Sequence, residues 1–94
     1  MKDLRVQVLK YIDDHYSDML AFLSKMISFN SGNPPGLELE AQNWLREQFQ
    51  QFGFDTVDYW VVDEKKKRPN VVAVKKGDGG RALIFNGHMD VSPV

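Results

Sequence analysis

The chain contains no cysteine and no long apolar run, and both absences restrict what it can be. Without cysteine, disulfides and thiolate metal sites are excluded, so any metal must be held by histidine and carboxylate. No apolar run approaches the roughly 20 residues that span a bilayer. The opening stretch, MKDLRVQVLKYIDD, alternates charged with apolar side chains and lacks the apolar block of a signal peptide. We therefore expect a cytoplasmic protein with no membrane partner.

An excess of basic charge is also lacking. The 94 residues include 12 Lys and Arg against 13 Asp and Glu, which gives a formal net charge of −1. Proteins that bind nucleic acid usually carry a basic excess on one face, so no nucleic-acid partner is expected. A hydrophobic content of 43% is that of an ordinary globular chain, and the length suits one small domain with a single core.

The first thirty residues carry the spacing of an amphipathic helix. Ser17 and Asp18 can cap a second helix, so a break near His15 is an alternative to one continuous helix. Apolar side chains recur at steps of three and four residues: Leu9, Ile12, Tyr16, Met19, Leu20, Leu23, Met26 and Ile27.

The stretch FNSGNPPG, residues 29–36, interrupts the helical spacing. Two prolines, two glycines and two asparagines in eight residues predict a loop. The spacing resumes at Leu37 and predicts a second helical region that ends near Phe52. Gly53 stands where a left-handed residue after a helix end is expected.

The rest of the chain has the composition of strands. TVDYWVVD and NVVAVKK are rich in β-branched and aromatic residues, and RALIFNG forms a third apolar segment. The short connections favour antiparallel hairpins, with EKKKRP as a solvated hairpin loop. Helices followed by a β-meander of about three strands predict the α/β fold class.

The apolar run ALIF does not alternate, which is typical of a strand covered on both faces. Gly87, His88, Met89 and Asp90 follow it directly. If the backbone stays extended past Gly87, the side chains of His88 and Asp90 point to the same side. A metal-binding imidazole usually donates its other ring N–H to a carboxylate or carbonyl, so Asp90 is the candidate partner of His88. Alternatively, Asp90 lies near an activated water.

This pair alone indicates a structural contact more often than a metal site. Two residues cannot complete a zinc site, which needs at least three protein ligands. The longer stretch FNGHMDVSPV, however, resembles the first metal-ligand motif of the M20 zinc metallopeptidase family, an apolar strand followed by Gly-His-x-Asp-Val-x-Pro. The match runs through Gly87, His88, Asp90, Val91 and Pro93, and Ser92 stands where the family often has Val.

The order of the upstream segments resembles that of the family as well. The loop SGNPPG and the helix end REQFQQFGFDTV precede the metal strand in the family's order, so the resemblance covers most of the chain. It implies that residues 1–94 are the amino-terminal part of a zinc-exopeptidase-like catalytic domain. The remainder of that domain and the lid or dimerisation domain are then expected beyond Val94.

The resemblance also implies roles and an activity. His88 is the expected zinc ligand, and Asp90 is the expected catalytic residue that orients its imidazole. The intact site would hold two zinc ions, with cobalt as an alternative metal. The intact enzyme is then expected to cleave the amide bond of N-acyl amino acids or small peptides, in the manner of acetylornithine deacetylase, and to form a homo-oligomer. This chain alone is expected to be inactive.

Two other interpretations stay open. Enzymes of the M28 aminopeptidase class also end their metal strand in His-x-Asp, although Pro93 and the NPPG loop favour M20. Alternatively, the chain is a non-enzymatic α/β packing or interaction module in which His88 and Asp90 are structural. His15, beside Asp14, is expected to be solvated and not a ligand.

Overall fold

The computed structural model describes residues 3–65 and 67–93, and it begins with two helices in succession. Helix α1 spans Leu4–Asp14 and helix α2 spans Tyr16–Ile27. The carboxylate of Asp3 caps α1 by accepting a hydrogen bond from the backbone N–H of Arg5 at 2.9 Å. No residue of these two helices, all of which are described, is buried.

The break between the two helices confirms the predicted interruption near His15. At His15 the backbone leaves the helical region, with φ −111° and ψ 13°. Its imidazole Nδ1 lies 2.8 Å from the carbonyl oxygen of Tyr11, and the two rings stack at 3.8 Å. The N-cap of α2 is therefore His15, and the predicted capping residues Ser17 and Asp18 lie inside the first turn of α2.

The second helical region is helix α3, which spans Leu39–Gln51. It ends as predicted, because Gly53 adopts φ +76°, in the left-handed region that glycine enters without steric cost. Aromatic side chains join α2 and the loop after it to α3: the ring of Trp44 lies 4.8 Å from that of Phe22 in α2 and 5.6 Å from that of Phe29 in the loop.

Two strands follow and form an antiparallel hairpin. Strand β1 spans Thr56–Asp63 and strand β2 spans Arg68–Val74, with Thr56 opposite Val74 and Tyr59 opposite Val71. Alternate side chains of β1 are half-buried, as expected for a sheet with one covered face. Helix α3 covers that face, and the hydroxyl of Tyr59 donates to Asn43 Oδ1 at 2.6 Å. The predicted α/β class, helices followed by antiparallel strands, is confirmed.

The third predicted strand is wrong. Residues 81–87 form no strand, and the sheet of the described residues has two strands. Leu83, Ile84 and Phe85 are 78%, 83% and 89% exposed. A strand exists through its ladder of hydrogen bonds, and this segment pairs with neither β1 nor β2. Apolar composition was therefore not sufficient to make it a strand.

The predicted loop between β1 and β2 is shorter than EKKKRP. Arg68 and Pro69 belong to β2, and Pro69 is buried. No helix in the described ranges is both long and apolar enough to cross a membrane.

Candidate functional site

His88 and Asp90 contact each other, as the two-residue spacing predicts. The Nδ1 atom of His88 lies 2.7 Å from Asp90 Oδ1 and 2.9 Å from the backbone oxygen of Asp90. Because both of these oxygens are acceptors, Nδ1 is the nitrogen that carries the proton in the neutral ring. The contact therefore selects the tautomer in which the lone pair lies on Nε2.

The Nε2 atom of His88 is the one left for other chemistry. It has no hydrogen-bond partner among the residues that the structure describes. The His88 side chain is 83% exposed, whereas that of Asp90 is 30% exposed. The lone pair of His88 Nε2 is therefore accessible to solvent, while the Asp90 carboxylate that binds the other ring nitrogen is half-buried.

The second oxygen of Asp90 is bound by a residue distant in sequence. The side-chain amide of Asn33 donates to Asp90 Oδ2 at 2.8 Å. The pKa of Asp90 lies below its ordinary value, because the hydrogen bond from Asn33 stabilises the carboxylate and that from His88 adds to it. Asp90 is consequently ionised at neutral pH, with one partner on each oxygen.

Backbone hydrogen bonds hold the loop that carries Asn33 against the segment that carries Asp90. Gly32 and Val91 form an isolated parallel bridge. The N–H of Asn33 donates to the carbonyl of Val91 at 2.8 Å, and the N–H of Val91 donates to the carbonyl of Ser31 at 3.0 Å. The two segments are therefore joined through main chain as well as side chain.

A buried ion pair holds the other end of the same loop. Arg68 donates to both carboxylate oxygens of Glu38, at 3.1 Å from Nε and 2.7 Å from Nη2. The side chain of Glu38 is 8% exposed and that of Arg68 is 33% exposed. The hydrogen bonds from Arg68 hold the pKa of Glu38 below its ordinary value, against the opposing effect of burial. Because its carboxylate is occupied by Arg68, Glu38 makes no side-chain cap to α3, although it is the N-cap residue.

His88 stands at the edge of an open cleft of about 380 Å³. The Glu38–Arg68 pair forms part of its lining, together with Gln42 of α3 and Pro69 of β2. The Oε1 atom of Gln42 is buried and has no hydrogen-bond partner within the described ranges, while its Nε2 donates to the carbonyl of Pro69 at 3.3 Å. The cleft lining therefore combines polar side chains with apolar ones such as Val62 and Met89.

The donor atoms fit a single coordination position of a borderline-soft cation such as zinc. Neutral imidazole nitrogen is among its preferred ligands, and the carboxylate on the other ring nitrogen is the usual orienting group. Residues 3–65 and 67–93 hold no group of three or more His, Asp or Glu side chains that could bind a metal ion. The described chain can therefore supply one ligand and its orienting partner, but not a closed site.

Sequence reasoning brought His88 and Asp90 together and missed the side chains around them. Asn33 lies 57 residues from Asp90, and the loop motif that contains it gave no indication of which side chain would reach the site. Arg68 falls within the predicted solvated loop EKKKRP, and no local pattern indicates that Glu38 pairs with it. The described contacts of the His15 side chain are with Tyr11, through the carbonyl oxygen at 2.8 Å and the stacked ring.

The chain is similar to three curated proteins. It is 34% identical over 92 residues to the N-formyl-4-amino-5-aminomethyl-2-methylpyrimidine deformylase of Halalkalibacterium halodurans, a match that covers 94% of this chain and 21% of that protein. It is 32% identical over 89 residues to the protein of the same name from Bacillus subtilis, which covers 90% of this chain and 20% of that protein.

The third relative has a different name. A Thermococcus kodakarensis protein, provisionally named a LysW-lysine/LysW-ornithine hydrolase, is 36% identical over 76 residues, which cover 81% of this chain and 19% of that protein. This chain thus spans about a fifth of the length of the curated relatives that it matches. No protein-family model and no solved structure matches the chain.

Proposed function

We propose that this chain is the amino-terminal part of a metal-dependent amidohydrolase of the M20 type, in which His88 binds zinc through Nε2. The observation that carries the proposal is the 2.7 Å contact between His88 Nδ1 and Asp90 Oδ1, which leaves Nε2 with a free lone pair. The names of the relatives support it, because a deformylase that removes an N-formyl group cleaves the bond between a carbonyl carbon and nitrogen.

In this proposal the residues of the chain bind and orient. His88 presents Nε2 to the metal, and Asp90 fixes the ring and its tautomer through Nδ1–H. When bound, zinc supplies a Lewis acid for the amide carbonyl and lowers the pKa of a bound water. The remaining ligands and the general base would come from sequence outside these 94 residues, since the described part holds no further ligand group.

The proposed substrate is a small molecule in which an acyl group is joined to an amine. N-formyl amines and compounds of lysine or ornithine are the first to test, because the relatives are named as a deformylase and as a LysW-lysine/LysW-ornithine hydrolase. Acetylornithine-like compounds are the third class, which the family resemblance alone supports. The proposed intact enzyme is a homo-oligomer.

Paired substitutions test the roles, in a protein of the relatives' full length that carries this chain. His88→Ala should lose metal and activity together, because it removes the ligand atom. Asp90→Asn should lower metal affinity or rate by about 10–100-fold, because the ring is then held in the wrong orientation. His15→Ala is the matched control, since it removes the other histidine of the chain and should change neither property.

Metal content by atomic emission and hydrolysis of N-formyl and N-acetyl substrates are the two measurements. The chain of 94 residues alone should show no turnover of either substrate. Equal metal content and rate in the His88→Ala and His15→Ala proteins would disprove the metal role and leave the packing-module interpretation.

A further inference from the structure

We propose that Asn33 is a positioning residue, whose amide holds the Asp90 carboxylate so that the proton of His88 stays on Nδ1. The significance of this for catalysis rests on the proposed function, in which Nε2 is the metal-binding atom. The contact itself is a property of this chain and can be tested without a metal or a substrate.

The two oxygens of the Asp90 carboxylate have different hydrogen-bond partners. Oδ1 accepts from His88 at 2.7 Å and Oδ2 accepts from Asn33 at 2.8 Å. The amide nitrogen of Asn33 can only donate, so it binds the ionised carboxylate and cannot compete with it for the proton of His88. Because hydrogen bonds to a charged acceptor are stronger than neutral ones, Asn33 restricts rotation of the carboxylate.

Asn33 is held in place independently of this contact. Its own backbone N–H donates to Val91, the residue that follows Asp90. On the other side of the loop, the N–H groups of Gly36 and Leu37 donate to the carbonyl of Gly32 at 3.0 and 3.1 Å. The amide is thus positioned against Asp90 by backbone hydrogen bonds as well as by its own contact, which is how supporting groups orient metal ligands.

Loss of the Asn33 amide should leave the carboxylate free to turn. The Asp90 side chain is 30% exposed, so water can then replace the amide and the carboxylate can leave Nδ1. The preference of His88 for the Nδ1–H tautomer should fall by about tenfold, the effect of one charge-assisted hydrogen bond. The contact of Nδ1 with the backbone oxygen of Asp90 at 2.9 Å stays in place and should retain the rest of the preference.

Nitrogen NMR of the imidazole rings measures this directly. The chain contains two histidines, so after ¹⁵N-histidine labelling His15 serves as an internal reference. At a pH where both rings are neutral, His88 should be protonated at Nδ1 in the unaltered chain and a mixture of tautomers in Asn33→Ala. Asn30→Ala is the matched control, because it removes a 3.3 Å hydrogen bond to Gly32 in the same loop without touching Asp90.

An exchange of the two side chains provides a second test. Asn33→Asp alone should lose the preference, because two carboxylates then face each other. Adding Asp90→Asn should restore it, since the new amide can donate to residue 33 and accept from His88. If Asn33→Ala fails to fold, the dispersion of its amide spectrum will show it. In that case the comparison of Asn33→Asp with the double variant Asn33→Asp, Asp90→Asn tests the proposal without it.

Three results would overturn the proposal. They are an unchanged His88 tautomer in Asn33→Ala and in Asn33→Asp, an equal loss in Asn30→Ala, or no Nδ1 preference in the unaltered chain. The expected tautomers together with a full-length protein that lacks metal-dependent hydrolysis would disprove the proposed function and leave the role of Asn33 toward Asp90 standing. Metal-dependent hydrolysis by the full-length protein, together with a His88 tautomer that does not change in Asn33→Ala, would support the proposed function and disprove the role of Asn33.

Discussion

At the scale of single residues, the ion pair between Glu38 and Arg68 connects elements that surround the site. It connects the start of α3 with the start of β2, and it lies directly against the loop that carries Asn33. The sequence predicts that Arg68 is solvated, because it belongs to the charged loop EKKKRP. The pairing of the two side chains depends on a hairpin that returns Arg68 to Glu38 across 30 residues, which no local pattern contains.

Removing one partner of this pair should destabilise the chain. In Arg68→Ala the carboxylate of Glu38, which is 8% exposed, keeps its burial and loses both side-chain donors. We expect a loss of about 1–3 kcal/mol in the free energy of unfolding. Arg68→Lys keeps the charge but cannot donate from two nitrogens in a fixed fork, so it should lose less. Urea titration should give the highest unfolding midpoint for the unaltered chain, a lower one for Arg68→Lys and the lowest for Arg68→Ala. Equal midpoints would contradict this prediction.

The ion pair between Glu38 and Arg68 should also make the free energy of unfolding depend on pH. The pKa of Glu38 is lowered in the folded chain from its ordinary value of 4.5. Its contribution is therefore fully present above the unfolded value and is lost as the pH falls through the folded value. Glu38→Gln should flatten the fall in the urea midpoint between about pH 6 and pH 3. Glu40→Gln, which changes an exposed carboxylate in the same helix turn, should leave the acid dependence of the urea midpoint as it is. The same acid dependence in Glu38→Gln as in the unaltered chain would refute the role of the ion pair.

At the scale of elements, the sequence predicted those features that depend on neighbouring residues. The interruption at His15, the end of α3 before Gly53 and the limits of β1 follow from local spacing and composition. Local spacing and composition could not show that residues 81–87 form no strand, or that Asn33 contacts Asp90. Both depend on which distant segment of the chain lies beside the residues concerned. The family motif identified His88 and Asp90, but a motif does not state which side chain binds the far oxygen of a carboxylate.

The loop before α3 should be sensitive to substitution at Gly36. This residue has φ +100°, and a Cβ there would lie 2.6 Å from Arg68 Nε. Gly53 has φ +76° with nothing within 4 Å, and Gly77 has neither a positive φ nor a near neighbour. Alanine should therefore cost about 1–3 kcal/mol at residue 36, less at residue 53 and almost nothing at residue 77. Urea midpoints of the three variants that fall in any other order would show that the ion pair does not confine the loop.

At the scale of the whole molecule, the chain leaves much apolar surface uncovered. Its accessible surface is 8075 Å², whereas a compact monomer of this mass has roughly 5,500 Å². Its radius of gyration is 16.0 Å, against about 12 Å for a compact domain of this length. Among the described residues, the large apolar side chains are exposed or half-buried, and the buried apolar side chains are those of Ala41 and Pro69. The extra surface includes the outer faces of α1 and α2 and the apolar run at residues 82–85.

We expect the isolated chain to associate with a second copy through residues 82–85. Ile84 is 83% exposed between two similarly exposed apolar side chains, and such patches are rare on monomers. Ile84→Lys should shift the sedimentation of the chain at micromolar concentration toward the monomer. Asn86→Lys adds the same charge without removing apolar area and should leave the association in place. A monomer in all three proteins would rule out this surface as an interface.

The parallel bridge between Gly32 and Val91 has a consequence for the order in which the chain becomes structured. It closes a loop of nearly sixty residues, whose entropic cost is roughly 3.5 kcal/mol for a flexible chain and less once α3 and the hairpin have formed. The three hydrogen bonds of this junction return about 0.5–1.5 kcal/mol each, a sum of similar size. The junction is therefore near balance, and we expect it to close after the hairpin has formed and to open before the hairpin does. Because an ion or molecule that binds His88 in its closed geometry must also close this junction, its apparent affinity is that for the closed form multiplied by the fraction of chains in which the junction is already closed.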